Sequence, residues 1–223
     1  MVVAAERREF DGMLKRMGTF SKLAWPGARH AFEGTAGKDR WLLVANGPGP
    51  KLVHQVLSQR QAWALEMDVT GMISTGFCGA LDPGLAVGDI VVGGESRVES
   101  NRPFHRGAIL STDRVAVTPS EKVAMRKQTG AIAVEMESAA VASTAAEWGV
   151  PFFCVRAVSD TAADSLPLDF NQFRDADGRF SRGRIALAAM IRPFSVMPAL
   201  LNLDRSCRRA AEALGEFFAD CRF

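Results

Sequence analysis

Residues 130–160 switch between two hydrophobic patterns. The stretch 130–134 (GAIAV) is a short apolar run, too brief for a helix. Residues 135–148 (EMESAAVASTAAEW) are dense in Ala, Ser and Met, and Gly149 and Pro151 stand where a helix should stop. The run 151–158 (PFFCVRAV) is apolar throughout apart from one arginine, the pattern of a strand covered on both faces. The segment therefore predicts strand, helix, strand, and the chain an α/β fold.

The same reading extends to both sides. Residues 2–5 predict a short first strand and 6–17 a helix. Residues 32–37 and 41–45 predict a hairpin that runs into Asn46-Gly47-Pro48-Gly49-Pro50, with a helix over 51–63. A strand is expected over 69–74 with a glycine-bounded turn at 75–79, then a loop at 82–88 and a strand at 90–93. The polar stretch 94–106 reads as a rim loop and 108–117 as a strand. Thr118 and Ser120 are placed to cap a helix ending at Thr129. Residues 161–173 form a loop with helix-start features. The apolar run 182–203 reads as a closing core helix. An amphipathic helix carrying Arg205, Arg208 and Arg209 follows it.

Glu135 and Glu137 fall where the first strand gives way to the helix, and Asp160 falls just past the second strand. Open α/β sheets bind ligands at the carboxyl ends of their strands, so these carboxylates converge on the expected crevice. A plainer reading makes them helix-dipole partners and a turn cap. Arg156 shifts the balance. A guanidinium inside FFCVRAVS must be paired, because an unpaired buried charge costs several kcal/mol. Nearby carboxylates or an anionic ligand would serve.

AVEMESAAVA followed by PFFCVRAVSD resembles the signature of the purine nucleoside phosphorylase and nucleosidase superfamily, most nearly its methylthioadenosine/S-adenosylhomocysteine nucleosidase branch. STGFCGALDPGLAVGDIVV (74–92) and VVAAERREF (2–10) agree, so the resemblance spans residues 2 to about 173 in family order. It implies a three-layer α/β/α fold with a mixed central sheet. It also makes Glu9 the catalytic glutamate, where the residues alone suggest an exposed helix charge. Phe170 matches an aromatic residue lining the substrate pocket, and the loop at 46–50 helps frame the site. There are departures: Glu6 replaces a usual methionine, Phe77 a usual serine, and Val115 lies near the position of an aromatic. The tail is longer than in compact nucleosidases. With DSLPLDF it resembles a hopanoid-associated branch whose substrate is an adenosyl-lipid.

The resemblance implies cleavage of a purine N-ribosyl bond through an oxocarbenium-like sugar. Asp160 would protonate the leaving base, Glu137 would bind the ribose hydroxyls with Met136 against the sugar, and Glu9 would deprotonate the attacking water. Glu135, Arg156 and Ser159 would hold these groups in place. Phe77, Cys78, Gly79 and Phe170 would line the substrate. An aspartate at 160, rather than the Asn of 6-oxopurine branches, implies an adenine-type base. The alternatives are phosphorolysis, including of an adenosyl-lipid, and a nucleoside-binding protein without catalysis. A dinucleotide-binding Rossmann domain is excluded, since no G-x-G-x-x-G follows the first strand.

Composition adds limits. The 223 residues, 48% of them hydrophobic, suit one domain, with 182–223 as a helical C-terminal extension. A net charge of +2 argues for no nucleic-acid partner. The excess is local: residues 174–223 hold nine Arg against six Asp plus Glu, +3, leaving −1 elsewhere. Cys78, Cys154, Cys207 and Cys221 have no metal-ligand spacing, so reduced thiols, a cytoplasmic setting and no metal or cofactor are expected. The tail has too many interruptions to span a membrane, although peripheral contact is an option. A small nucleoside is the expected partner, with phosphate in the alternative, and relatives suggest a homo-oligomer, commonly a dimer.

Overall fold

The computed structural model describes residues 1–58, 68–94 and 97–223. Strand β1 (Val2–Ala4) lies between β4 (Asp39–Ala45) and β5 (Met72–Ala80), and β10 (Phe152–Asp160) lies on the far side of β5, all four parallel. β6 (Ile90–Gly93) joins β10 antiparallel, and β7 (His105–Gly107) follows it. β3 (His30–Ala36) and β2 (Thr19–Lys22) extend the other edge antiparallel. The short β8 (Ile109–Ser111) and β9 (Ala133–Glu135) pair with each other, and β9 crosses onto the end of β5 at Gly79 and Ala80. The sheet is mixed, as expected.

Alternation along the strands separates two apolar layers. Val2, Ala4, Leu43, Ala45, Val155 and Ala157 face α1 (Asp11–Arg16) and α6 (Val196–Phe218). Val3, Leu42, Val44 and Met72 face α2 (Pro50–Leu57) and α4 (Ser138–Trp148). Helices on both faces complete the three-layer α/β/α architecture. On the first face α6 contributes Ala210, Leu214, Phe217 and Phe218, and it meets α1 at glycines. A Cβ on Gly215 would overlap the Gly12 backbone, and one on Gly12 would overlap the Ala211 carbonyl.

Several elements differ from the expectation. Residues 75–79 are not a turn, because β5 runs through them to Ala80. Gly76, with φ +134°, is the reason: Glu9 occupies the space its side chain would need. The expected helix at 6–17 is split into a 3-10 turn (Arg7–Phe10) and α1. Gly130 does not open a strand; it ends α3 (Pro119–Thr129) in the left-handed conformation, and the strand there is only β9. Within 108–117 only β8 is a strand. The rim stretch at 94–106 leads into β7, and β2 had no clear pattern. The helix expected over 51–63 is formed to Leu57, and 59–63 lie outside the described residues, as do 95–96 of the rim stretch. Residues 182–203 do not make a core helix. They form α5 (Arg182–Ile191), of which only Ala189 is buried, and the start of α6, where Val196 is buried but Met197 and Leu201 are exposed.

The α1–α6 crossing sets a test. Gly215→Ala should destabilise the fold by ~1–3 kcal/mol, the usual cost of overpacking, read as a lower denaturation midpoint with an unchanged denaturant dependence.

Candidate active site

A cavity of about 1000 Å³ opens where the carboxyl ends of β1, β5 and β10 meet β9. Each predicted site residue except Arg156 lines it: Glu9, Phe77, Cys78, Gly79, Glu135, Met136, Glu137, Ser159, Asp160 and Phe170. Arg156 lies beneath them with none of its surface exposed.

Arg156 is in mid-β10, and the strand leaves its guanidinium no route to water. It donates to the Thr75 carbonyl and, over 2.6 Å, to Ser74 Oγ, and it pairs with Glu135. The pairing of a buried guanidinium with carboxylates is the outcome foreseen. Glu137 is a more distant partner at 3.7 Å. Glu135 also accepts the Glu137 and Ser138 N–H groups at 2.9 Å each and the Ser138 hydroxyl at 2.6 Å. Burial works to raise Glu135, yet Arg156 and these donors hold it below the ordinary glutamate range.

The other two glutamates are less compensated. Glu137, at the N-cap of α4, accepts the Gly49 N–H at 2.9 Å, which is how the loop at 46–50 frames the site. Burial first, then Glu135 and Glu9, push Glu137 up to about 8 against the pull of Arg156. Glu9 accepts the Phe77 N–H at 2.8 Å and the Glu6 N–H at 2.7 Å, and burial raises it as well. It is a buried group of the 3-10 turn, not an exposed helix charge.

At the other end, β10 and β5 slip register between Val158 and Asp160, with Ser159 as the extra residue. Such a bulge re-aims side chains beside a site. Ser159 Oγ lies 2.7 Å from Asp160 Oδ1, and the carboxylate rests against Gly79, where an added Cβ would be 3.0 Å from Oδ2. Lys122, on α3, reaches the same oxygen at 2.5 Å. No local pattern marks it, because a lysine in SEKVAMRK reads as solvent-facing.

Val115 lines the cavity near Phe170, and Asn171 ties the two segments by accepting the Val115 N–H and donating to its carbonyl. Sequence reasoning also missed the outer wall. Leu166, Phe180, Ile185, Leu203 and Cys207 supply an apolar side from the loop after β10, α5 and α6. Among the described residues, no cluster of three or more His, Cys, Asp or Glu could hold a metal ion.

A mixed sheet with an acid-rich cavity at its strand ends is the framework on which the sequence comparison places a family. Residues 10–96 and 94–191 match the Phosphorylase superfamily, and the chain belongs to it. A 5'-methylthioadenosine/S-adenosylhomocysteine nucleosidase from an Exiguobacterium species is 28% identical over 184 residues, 65% of this chain and 77% of that protein. The fold is shared with solved structures. A futalosine hydrolase mutant of Helicobacter pylori superposes with a TM-score of 0.68 at 18% identity, covering 97% of this chain and 95% of that one. The methylthioadenosine/S-adenosylhomocysteine nucleosidase of Neisseria meningitidis, in complex with methylthio-immucillin-A, gives 0.68 at 20%, covering 98% and 95%.

The charge arrangement predicts a pH dependence. A carboxyl raised from 4.5 to about 8 on folding contributes stability that is complete below 4.5 and is lost as pH rises towards 8. The melting temperature of the empty protein should therefore fall across that interval, and Glu137→Gln should flatten the slope without abolishing it, since Glu9 acts in the same direction.

Proposed function

We propose that this protein is a purine nucleosidase that hydrolyses the N-glycosidic bond of an adenine-type nucleoside. The observation that carries the reading is the placement of two carboxyl groups along one strand. Glu9 is bonded to Phe77 of β5, and Asp160 rests against Gly79, two residues or roughly 7 Å further on. Two carboxyls held at separate points of one strand are what a base and an acid flanking a sugar require. Glu9, lifted by burial, is suited to take a proton from water. Asp160 serves the leaving base. Glu137, between them in the cavity, takes the ribose hydroxyls, and a carboxyl titrating near 8 can both donate to and accept from a diol.

Water is favoured over phosphate by the surrounding charges. Arg7 pairs with Asp11, Arg8 and Arg208 with Asp204, and Arg182 with Glu6, so the arginines nearest the mouth already face carboxylates. Phe77 presents a ring where a hydroxyl would help hold phosphate. The curated relative and the solved neighbours include nucleosidases and a hydrolase, which agrees with this choice. Chromatography of a panel of adenine and 6-oxopurine nucleosides should show free base and free sugar, at the same rate with phosphate omitted. Asp160→Asn should lower turnover by ~100-fold. Strict phosphate dependence with sugar 1-phosphate as product would reverse the assignment.

One observation favours a lipid-bearing nucleoside as substrate. α5 and the start of α6 expose Leu187, Met190, Ile191, Met197 and Leu201, with Phe194 95% exposed between them. No acidic residue lies between Gly178 and Asp204, while Arg182, Arg184 and Arg192 do. Ile185 and Leu203 of the same segment line the cavity, so a long 5′ substituent would leave along this face. No helix among the described residues is long and apolar enough to cross a membrane, and the contact proposed is with a bilayer surface. The protein should co-sediment with phosphatidylglycerol-containing vesicles at low salt and be released at high salt. Absence of binding at low salt would assign the face to contact between copies of the chain.

A further inference from the structure

Lys122 has no exposed surface, and lysines are almost never fully buried unless paired. Its ammonium has three N–H groups and three acceptors: Asp160 Oδ2 at 2.5 Å, the Thr161 carbonyl at 2.6 Å and the Asp164 carbonyl at 3.2 Å. It does not line the cavity, whereas Asp160 does. The turn it grips is further tied by Asp164, whose Oδ2 accepts the Thr161 N–H and hydroxyl at 2.7 and 2.8 Å. Holding the turn alone would need only neutral donors, and two backbone carbonyls do not call for a charge. The third bond is different. It joins the ammonium to the group assigned to protonate the leaving base, on the side away from Ser159.

We propose that Lys122 is the positioning residue behind Asp160: it fixes the carboxylate at the base end of the cavity and supplies the proton that Asp160 passes to the leaving purine. The proposal rests on the nucleosidase reading above. As the C1′–N bond breaks, its electron pair stays with the base. One proton moves from Lys122 Nζ to Asp160 Oδ2 and from that carboxyl to the base nitrogen, leaving a neutral amine beside a carboxylate. At the other end the water oxygen bonds to C1′ and its proton goes to Glu9. After the products leave, the proton held by Glu9 is exchanged through solvent for the one missing on Lys122. One water is consumed and no net charge is gained.

The test separates proton supply from support. Lys122→Met removes both the charge and the donors, while Lys122→Gln removes the charge and keeps two N–H groups. Each is measured on the best adenine nucleoside of the panel and on 4-nitrophenyl β-D-ribofuranoside, whose nitrophenolate departs without being protonated. Both variants should lose ~100-fold in kcat on the nucleoside, with KM little changed, and less than ~10-fold on the nitrophenyl riboside. Equal losses on the two substrates, or recovery of nucleoside turnover in Lys122→Gln, would make the role structural and overturn the proposal. So would failure of both variants to fold, shown by circular dichroism. A wild-type protein that releases no base from any nucleoside would instead sink the nucleosidase reading itself.

Discussion

Arg156 brings a permanent positive charge into the middle of the sheet, and the neighbouring residues are arranged to compensate it. Removing a guanidinium from water is tolerable only when carboxylates and other acceptors surround it, and the pairing fixes where those acceptors stand. Glu135 neutralises it directly, with Ser74 and Thr75 taking further donors. That leaves one cation shared among three buried glutamates. The first is held ionised, and burial raises the other two because nothing of equal strength remains for them. A cavity whose buried floor holds more carboxyl groups than cations suits a neutral polyhydroxyl ligand.

The same charge count bears on the nucleophile. A phosphate dianion would meet Glu9, which must be ionised to act as the base proposed for it, in a poorly solvated space where repulsion is screened far less than in water. A water molecule adds no charge and gains a base. The backbone supports this arrangement sterically. Gly76 leaves room for the Glu9 carboxylate, Gly79 lets Asp160 close on β5, and the register shift at Ser159 places Asp160 at the end of that strand pair. A Cβ at Gly76 would collide with the Glu9 carboxylate, and one at Gly79 would press tightly on Asp160.

Much of the α/β plan was legible because it depends on local periodicity. PFFCVRAV has the pattern of an interior strand, and Thr118, expected as a cap with Ser120, does close the start of α3, although its partner in the capping box is Glu121. The acids of VEMES and VRAVSD were legible as a group, since strand ends converge whatever the details of the crossovers. Glu9 was found only through resemblance. Its burial depends on the close approach of β5 at Gly76, which no local pattern encodes. The glycines at 76 and 79 were misread for the same reason: a glycine needed for close approach looks identical in sequence to one needed for a turn. Lys122 was invisible because its burial is created by residues roughly forty positions away.

The C-terminal segment shows how one stretch can serve two physical roles. From Ala210 onward α6 is core: its glycine crosses Gly12 and its phenylalanines fill the layer over β10. Before Ala210 the same helix and α5 leave large apolar side chains in solvent. Exposed side chains of that size gain nothing in a monomer in water, at roughly 25 cal/mol per Å² left uncovered. The segment therefore reads as surface meant to be covered. Since its inner side forms the apolar wall of the cavity, whatever covers it also lies beside the cavity. The acid-rich strand ends and the apolar face are thus joined through one helix pair, whose inner side lines the cavity and whose outer side meets solvent.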